Sequence, residues 1–252
     1  MREAVILGAA RTAIARENGG LRDVPPETQA ALVMKTAVTR SGLADPLLID
    51  EVIFGHCLGA PGCIGRMALL RAGLPMEIPS ITIDRQCGSG STAVNLAATH
   101  IRAGVGDVYL AGGVESMTRM PYMAEKAASA YQRMPLKWIM PRPLSPEEVG
   151  DPPMGITAEN IVARFGIPRE EQDEMAFQSQ LKANRAIQEG RFQEQIVPVP
   201  IPRKNAEPLL FQVDEHPRQG TTVEALSKLR PAFKKDGSVT AGNSSGINDG
   251  SG

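Results

Sequence analysis

Ile78-Pro79-Ser80-Ile81-Thr82-Ile83 runs without a break into Asp84-Arg85-Gln86-Cys87-Gly88-Ser89-Gly90-Ser91. The first six residues have the apolar, β-branched character of a strand, and the small residues after Cys87 let a helix begin at once. That helix reads from Cys87 to Ala103 and stops at Gly104. The same alternation repeats on both sides. Ala4-Val5-Ile6-Leu7 reads as a strand. About Pro26 to Ser41 reads as a helix, with Ala30, Val33, Met34, Ala37 and Val38 on one side and Gly42 as its stop. Glu51-Val52-Ile53-Phe54-Gly55 is a second strand, Ile64 to Ala72 a second helix, and Asp107 to Gly113 a fourth strand. Strands alternating with helices in this order indicate parallel βαβ units, so the fold class is α/β.

After Glu115 the pattern changes. Between Met117 and Pro153 stand seven prolines and several methionines with no strand alternation, which reads as an excursion from the sheet. A helix from Thr157 to Phe165 follows. A second is opened by Pro168, with Glu170, Glu171, Asp173 and Glu174 loading its first turns, and it runs to about Glu189 with a solvated charged face. Ile196 to Pro202 has proline at every second position from Pro198, which restricts it to an edge strand or an extended linker. Residues 203–240 read as irregular apart from a helical turn near Ala225 to Leu229. The last ten residues, Asn243 to Gly252, read as a tight loop leading into a further element, so the end there is expected to be a truncation.

Composition narrows the function. The 252 residues carry 27 Lys+Arg against 28 Asp+Glu, a formal charge of −1. A near-neutral chain lacks the basic face that neutralises phosphates, which argues against nucleic acid. No apolar run approaches the ~20 residues that span a bilayer. The N-terminus lacks the core and cleavage site of a signal peptide, so a cytoplasmic location is expected. Three cysteines are too few for a disulfide scaffold. Gly55, Gly59 and Gly62 do not form the dinucleotide fingerprint, which disfavours a nicotinamide dehydrogenase.

Cys87 is the sharpest chemical feature. A thiol at a helix N-terminus feels the positive end of the dipole, which favours thiolate, and free backbone N–H groups there stabilise an oxyanion. Gly88 and Gly90 leave the approach to the sulfur open. The site falls at the C-terminal edge of a parallel sheet, where α/β proteins bind ligands. The residues alone fit a packing cysteine equally well. His100, thirteen residues on in the same helix, is ~20 Å away and excluded as its base. His216, in Glu215-His216-Pro217, reads as solvent-facing. His56 ends the second strand and reads as a hydrogen-bonded strand-end histidine more than as a catalytic partner. Cys57 and Cys63, flanking Gly59-Ala60-Pro61-Gly62, read as packing residues rather than a metal site.

Asp84-Arg85-Gln86-Cys87-Gly88-Ser89-Gly90 resembles the acylation loop of the thiolases, the acyl-CoA acetyltransferases. Further segments match that family in order. They are Ala9-Ala10-Arg11-Thr12, Ala111-Gly112-Gly113-Val114-Glu115-Ser116-Met117 and Met154-Gly155-Ile156-Thr157-Ala158-Glu159-Asn160. Lys228-Leu229-Arg230-Pro231-Ala232-Phe233, Val239-Thr240-Ala241-Gly242-Asn243 and Ser245-Gly246-Ile247-Asn248-Asp249-Gly250 complete the series.

The resemblance implies a five-layered enzyme of two similar halves, of which this chain supplies the first. It implies an α/β domain over residues 1–116, a mostly helical loop domain inserted over 117–238, and a return to the first domain over 239–252. Cys87 would take an acyl group from acyl-CoA as a thioester, with its backbone N–H in an oxyanion hole. The loop domain would bind CoA through Arg218 near the adenine, Phe233 and Met154 along the pantetheine, and Ala241 and Ser245 near its amides. Acyl-CoA and CoA are substrates, no tightly bound cofactor or metal is implied, and the subunits would form homodimers or homotetramers. The methionines between Met117 and Met154 fit subunit contacts. Pro153 and Ala225 stand where some biosynthetic members have histidine and serine, which favours a longer 3-oxoacyl substrate over acetoacetyl. The family's second half brings a Gly-His-Pro histidine and a second cysteine. Each such proton-transfer group is worth about 10²–10⁴-fold, so these residues alone are expected to be nearly inert in carbon–carbon bond formation. A lone half would also expose the apolar face meant for the other. A non-catalytic CoA-binding or subunit-interaction remnant is the alternative. A decarboxylating condensing enzyme fits the Met154–Asn160 and Lys228–Phe233 segments less well.

Overall fold

A computed structural model of the chain describes residues 2–58, 62–126, 135, 137–139 and 143–252. The Gly59-Ala60-Pro61 part of the turn between Cys57 and Cys63 lies outside the described residues, as do Met134, Met140 and Pro141 of the proline-rich stretch. In chain order the elements are β1 (Ala15–Arg16), α1 (Pro26–Ser41), β2 (Glu51–Gly55), α2 (Ile64–Arg71), β3 (Ser80–Ile83), α3 (Ser89–Ala103) and β4 (Tyr109–Ser116). There follow α4 (Met154–Phe165), α5 (Arg169–Gln188), β5 (Val199–Arg203), β6 (Ala206–Phe211), α6 (Val223–Ser227) and β7 (Asn248–Ser251). They group into two compact units. The first comprises Met1–Met120, Asn184–Pro217 and Gly246–Gly252; the second comprises Pro121–Ala183 and Arg218–Ser245. Residues 184–217, expected within the inserted domain, therefore group with the α/β unit.

The first unit is built on a five-stranded mixed sheet in the order β1-β7-β4-β2-β3. β2 lies parallel between β3 and β4, with Gly55 opposite Ile83 on one side and Gly113 on the other. Strand side chains alternate between faces. Val52 and Phe54 pack with Ala30 and Met34 of α1 and Ile64, Ala68 and Leu69 of α2. Ile53 points the other way, onto Ala93 and Ala97 of α3. Helices thus cover both faces, which is why β2 reads as an unbroken apolar run rather than an alternating one. A second cluster joins Ala13, Ala15, Leu21 and Val24 to Ile196, Val199 and Phe211, seating the β5–β6 hairpin.

Three expectations are corrected. Ala4-Val5-Ile6-Leu7 is not a strand: it has no ladder partner among the described residues, and Val5, Ile6 and Leu7 are 67%, 81% and 59% exposed. Apolar, β-branched composition makes a strand only where a neighbour takes its N–H and C=O groups. Asn248–Ser251, expected as loop, is a strand antiparallel to both β1 and β4. Its buried Asp249 accepts from Thr118 N (3.0 Å), Thr118 Oγ1 (2.5 Å) and Ser116 Oγ (3.2 Å). Within 203–240, expected to be irregular, β6 pairs with β5 through a two-residue turn in which Asn205 has φ 58°. Elsewhere the edges shift by a few residues. β4 runs on to Ser116, and α4 begins at Met154 behind Pro153, whose carbonyl accepts from Ile156 N (2.8 Å) and Thr157 N (3.0 Å).

The contact that seats α3 is made by glycines. A Cβ on Gly55 would lie 2.5 Å from Gly90 N and 2.6 Å from Ser89 C, and one on Gly113 would lie 3.3 Å from Gly90 Cα. Backbone meets backbone here, with no flexible side chain to give way. Gly55→Ala is expected to lower stability by about 1–3 kcal/mol, the range of overpacked cores. The urea midpoint of the variant reads this, and an unchanged midpoint contradicts the packing described.

Candidate active site

Cys87 sits in the turn between β3 and α3, just before the helix's N-cap residue Gly88, and it is exposed. The turn is held by its own polar groups. Gln86 N donates to Asp84 Oδ1 (2.9 Å), and Gly88 N and Ser89 N turn back to Arg85 O (3.2 Å) and Gln86 O (3.0 Å). The buried Ser89 hydroxyl accepts from Arg85 N (2.8 Å) and donates to Gln86 O (2.6 Å). Cys87 N–H takes part in none of these bonds. Gln86 has φ 51°, a left-handed conformation that costs a non-glycine residue on the order of 1 kcal/mol or more. Nothing in the residue type marks that position in the sequence. Gly90 also lends its backbone to the packing under the turn: a Cβ on Gly55 would fall 2.5 Å from Gly90 N, whereas one on Gly90 itself would meet only Gly113 Cα at 4.0 Å.

A second titratable group lies on the same face of the sheet edge. Continuing the β2–β4 register places Cys57 opposite Glu115, on the α3 side shared by Gly55 and Gly113. Glu115 Oε2 accepts from Cys57 N (2.9 Å) and from the Cys57 thiol (3.0 Å). Its Oε1 lies 2.9 Å from His56 Nδ1, which is also 3.0 Å from Val114 O. Burial pushes the Glu115 carboxyl up, but the bonds from His56 and Cys57 outweigh it and hold the group below the usual carboxylate range. The Cys57 thiol is pushed up to about 12, first by burial, then by Glu115, with Asp84 and Cys87 adding to it. Cys57 is therefore a neutral hydrogen-bond donor beside the candidate nucleophile, not a mere packing residue. His56 is 6% exposed, and its Nδ1 is engaged by Glu115 and Val114. Glu115 had no role in the sequence reading, because only the strand register brings it to Cys57.

The other two histidines are partly buried. His100 stacks edge-on against Tyr109 at 5.5 Å. His216, expected to face solvent, is half-buried under Gly246, where a Cβ would fall 2.0 Å from its Cε1. Among the described residues no three His, Cys, Asp or Glu side chains are grouped to hold a metal.

Met154, Arg218, Phe233, Ala241 and Ser245 all belong to the second unit, and all five are exposed. Phe233 and Met154 come together through Gly155. The Phe233 ring occupies the place a side chain on Gly155 would need (2.1 Å), next to Met154. Phe233 lies within, and Ala241 just beyond, a hairpin closed by Ala232 N to Val239 O (2.9 Å) and the Pro231–Thr240 pairing. Arg218 is tied to α5, its N–H donating to Gln180 Oε1 (2.7 Å).

The thiol chemistry is testable. At pH 8 iodoacetamide is expected to label the exposed Cys63 at least about 100-fold faster than Cys57, since the thiolate is the nucleophile. Glu115→Gln should bring Cys57 into reach of the reagent. Equal labelling of Cys57 in wild type and variant contradicts the role given to Glu115. Because the fold holds this proton more tightly than the unfolded chain, its contribution to stability is whole below pH 9.0 and is lost as pH rises toward about 12. Cys57→Ala should flatten that alkaline decline.

Comparison with known proteins places this geometry in a family. Residues 4–252 match the family model described as "Thiolase, N-terminal domain". An acetyl-CoA acetyltransferase of Pseudomonas aeruginosa is 44% identical over 254 residues, covering 99% of this chain and 64% of the relative. A beta-ketoadipyl-CoA thiolase of Acinetobacter baylyi is 41% identical over 260 residues, covering 99% and 65%. The crystal structure of the Bacillus anthracis acetyl-CoA acetyltransferase superposes with a TM-score of 0.89 at 42% identity, covering 99% of this chain and 64% of that one. The chain thus spans a little under two thirds of the length of these relatives, and across that span its fold is theirs. It belongs to the thiolase family.

Proposed function

We propose that the chain forms the nucleophile-bearing part of an acyl-CoA C-acyltransferase. In this reading Cys87 attacks the thioester carbonyl of an acyl-CoA, the carbon–sulfur bond to CoA breaks, and the acyl group stays on Cys87 while CoA leaves as the thiol. Reversed on a 3-oxoacyl-CoA, the same acyl-enzyme is the intermediate of thiolysis; run forward with a second acyl-CoA, it is that of condensation. The observation that carries the reading is the exposed Cys87 in a polar-bonded turn just before the N-terminus of α3, where backbone N–H groups can meet a carbonyl oxygen.

The division into an α/β domain of residues 1–116, an insertion of 117–238 and a return over 239–252 belongs to this proposal, with residues 184–217 of the insertion packed in the first unit. So does CoA binding by Arg218, Phe233, Met154, Ala241 and Ser245. Their common exposure on one unit supports it, as does the contact of Phe233 with Gly155. Assembly into homodimers or homotetramers and a cytoplasmic location complete the reading. No helix of the described residues is long and apolar enough to cross a membrane.

The alternative, a CoA-binding or subunit-interaction protein without turnover, is favoured by one feature. His56 Nδ1 is already engaged by Glu115 and Val114. Incubation with acetyl-CoA followed by peptide mapping separates the two. One acetyl thioester on Cys87, labile to hydroxylamine and abolished by Cys87→Ser, is the result expected. No acetyl group, or one that survives Cys87→Ser, overturns the acyltransferase reading for this chain.

A further inference from the structure

Two carboxylates in the second unit are almost fully buried: Glu159 on α4 is 5% exposed, and Asp173 on α5 is 1% exposed. Asp173, read from the sequence as one of several acids on a solvated helix face, is thus removed from solvent. Both carboxylates are directed at one short stretch, residues 238–243. Glu159 Oε1 accepts from Ser238 N (2.9 Å) and Val239 N (2.8 Å). It also fills the space beside Gly237, where a Cβ would fall 2.3 Å away. Asp173 Oδ1 accepts from Asn243 Nδ2 (2.9 Å), while its Oδ2 accepts from Arg169 Nε (2.7 Å). Asn243 passes the constraint back into the loop. Its Nδ2 also donates to Ser238 O (3.2 Å), and its Oδ1 accepts from Thr240 N (2.7 Å). Arg169 reaches the carbonyls of Leu226 (2.8 Å) and Leu229 (3.1 Å), fixing the chain that enters the hairpin.

Three successive N–H groups, of Ser238, Val239 and Thr240, are therefore taken by side-chain oxygens, and the next residue is the exposed Ala241. Beyond the single backbone pairing with Pro231 and Ala232, the limb is held by side chains. Removing two carboxylates from water costs several kcal/mol, offset only where hydrogen bonds and partner charges are well placed, so buried ionic groups contribute little net stability. What they supply here is a single geometry for one limb of the hairpin. We propose that Glu159 and Asp173 are positioning residues for the CoA-binding surface, holding the 238–243 limb so that Ala241, and Phe233 on the opposite limb, present a fixed geometry to the ligand. This rests on the acyl-CoA reading above.

The test uses three readouts on the same protein: CoA affinity by calorimetry, amide hydrogen exchange of residues 238–243, and the rate of iodoacetamide alkylation at Cys87. In Glu159→Ala, CoA is expected to bind about tenfold or more weakly, as the loss of bonds to a charged acceptor implies. The 238–243 amides should exchange faster, while Cys87 alkylation stays at the wild-type rate. Glu159→Gln, whose amide oxygen still accepts, should recover most of the affinity, and Asp173→Ala should repeat the pattern through Asn243. Unchanged affinity and protection in both alanine variants overturn the proposal. So does a loss of protection spread over all of α4 and α5, because the carboxylates would then only stabilise the unit. A wild-type protein that fails to bind CoA overturns the acyl-CoA reading instead, and with it the ligand half of the proposal.

Discussion

The structure of the first unit depends on the close approach of α3 to the sheet at Gly55, Gly113 and Gly90. With no side chain on β2 or β4 at that level, the first turn of α3 lies against strand backbone. This fixes where β3 must hand over to the helix, and hence where Cys87 stands. The strained Gln86 conformation and the Ser89 hydroxyl bonded to both Arg85 and Gln86 follow from it, since the turn must reverse within a few residues. Strain of this kind persists only where its surroundings over-determine it. Here the determinants are the glycine floor on one side and the Asp84 and Ser89 bonds on the other.

The same sheet edge holds charge in a fixed arrangement. Glu115 is kept anionic by His56 and Cys57, and in return it keeps the Cys57 proton in place. Two cysteines with different duties then sit near each other: Cys87 exposed, Cys57 half-buried and kept protonated first by burial and then by a carboxylate. The second unit repeats the device in another form, with the buried acids Glu159 and Asp173 spent on a loop instead of a thiol. In both units a carboxylate is used as a fixed acceptor.

Much of this was legible in the sequence, and the exceptions share a cause. The spans of α1, β2, α2 and α3 could be read because helix stops and apolar runs are local properties, as at Gly42 and Gly104, which take the left-handed φ expected of them. The Ala4–Leu7 run misled because a strand is defined by its partner, and composition carries no information about that. β7 was hidden for the converse reason. Asn248-Asp249-Gly250-Ser251 has loop composition, and its strand character comes from β1 and β4 on either side and from Asp249 gripping Thr118. The β5–β6 hairpin had a signal that went unused, Asn205 at a two-residue turn. Cys87 was found from its neighbours in sequence. Glu115, Glu159 and Asp173 were not, since each acts on a residue that register or tertiary packing supplies.

Under the acyltransferase proposal, the placing of Cys87 depends on backbone packing under the turn. This dependence is tested most directly by the rate at which Cys87 is acetylated by acetyl-CoA in Gly113→Ala. The added methyl would press to 3.2 Å from Gly55 O and 3.3 Å from Gly90 Cα, enough to displace the turn slightly without dismantling the fold. Acetylation slowed by about tenfold or more, with CoA affinity unchanged, is the result expected of a misplaced nucleophile. Wild-type acetylation in a variant whose turn has demonstrably shifted would contradict it.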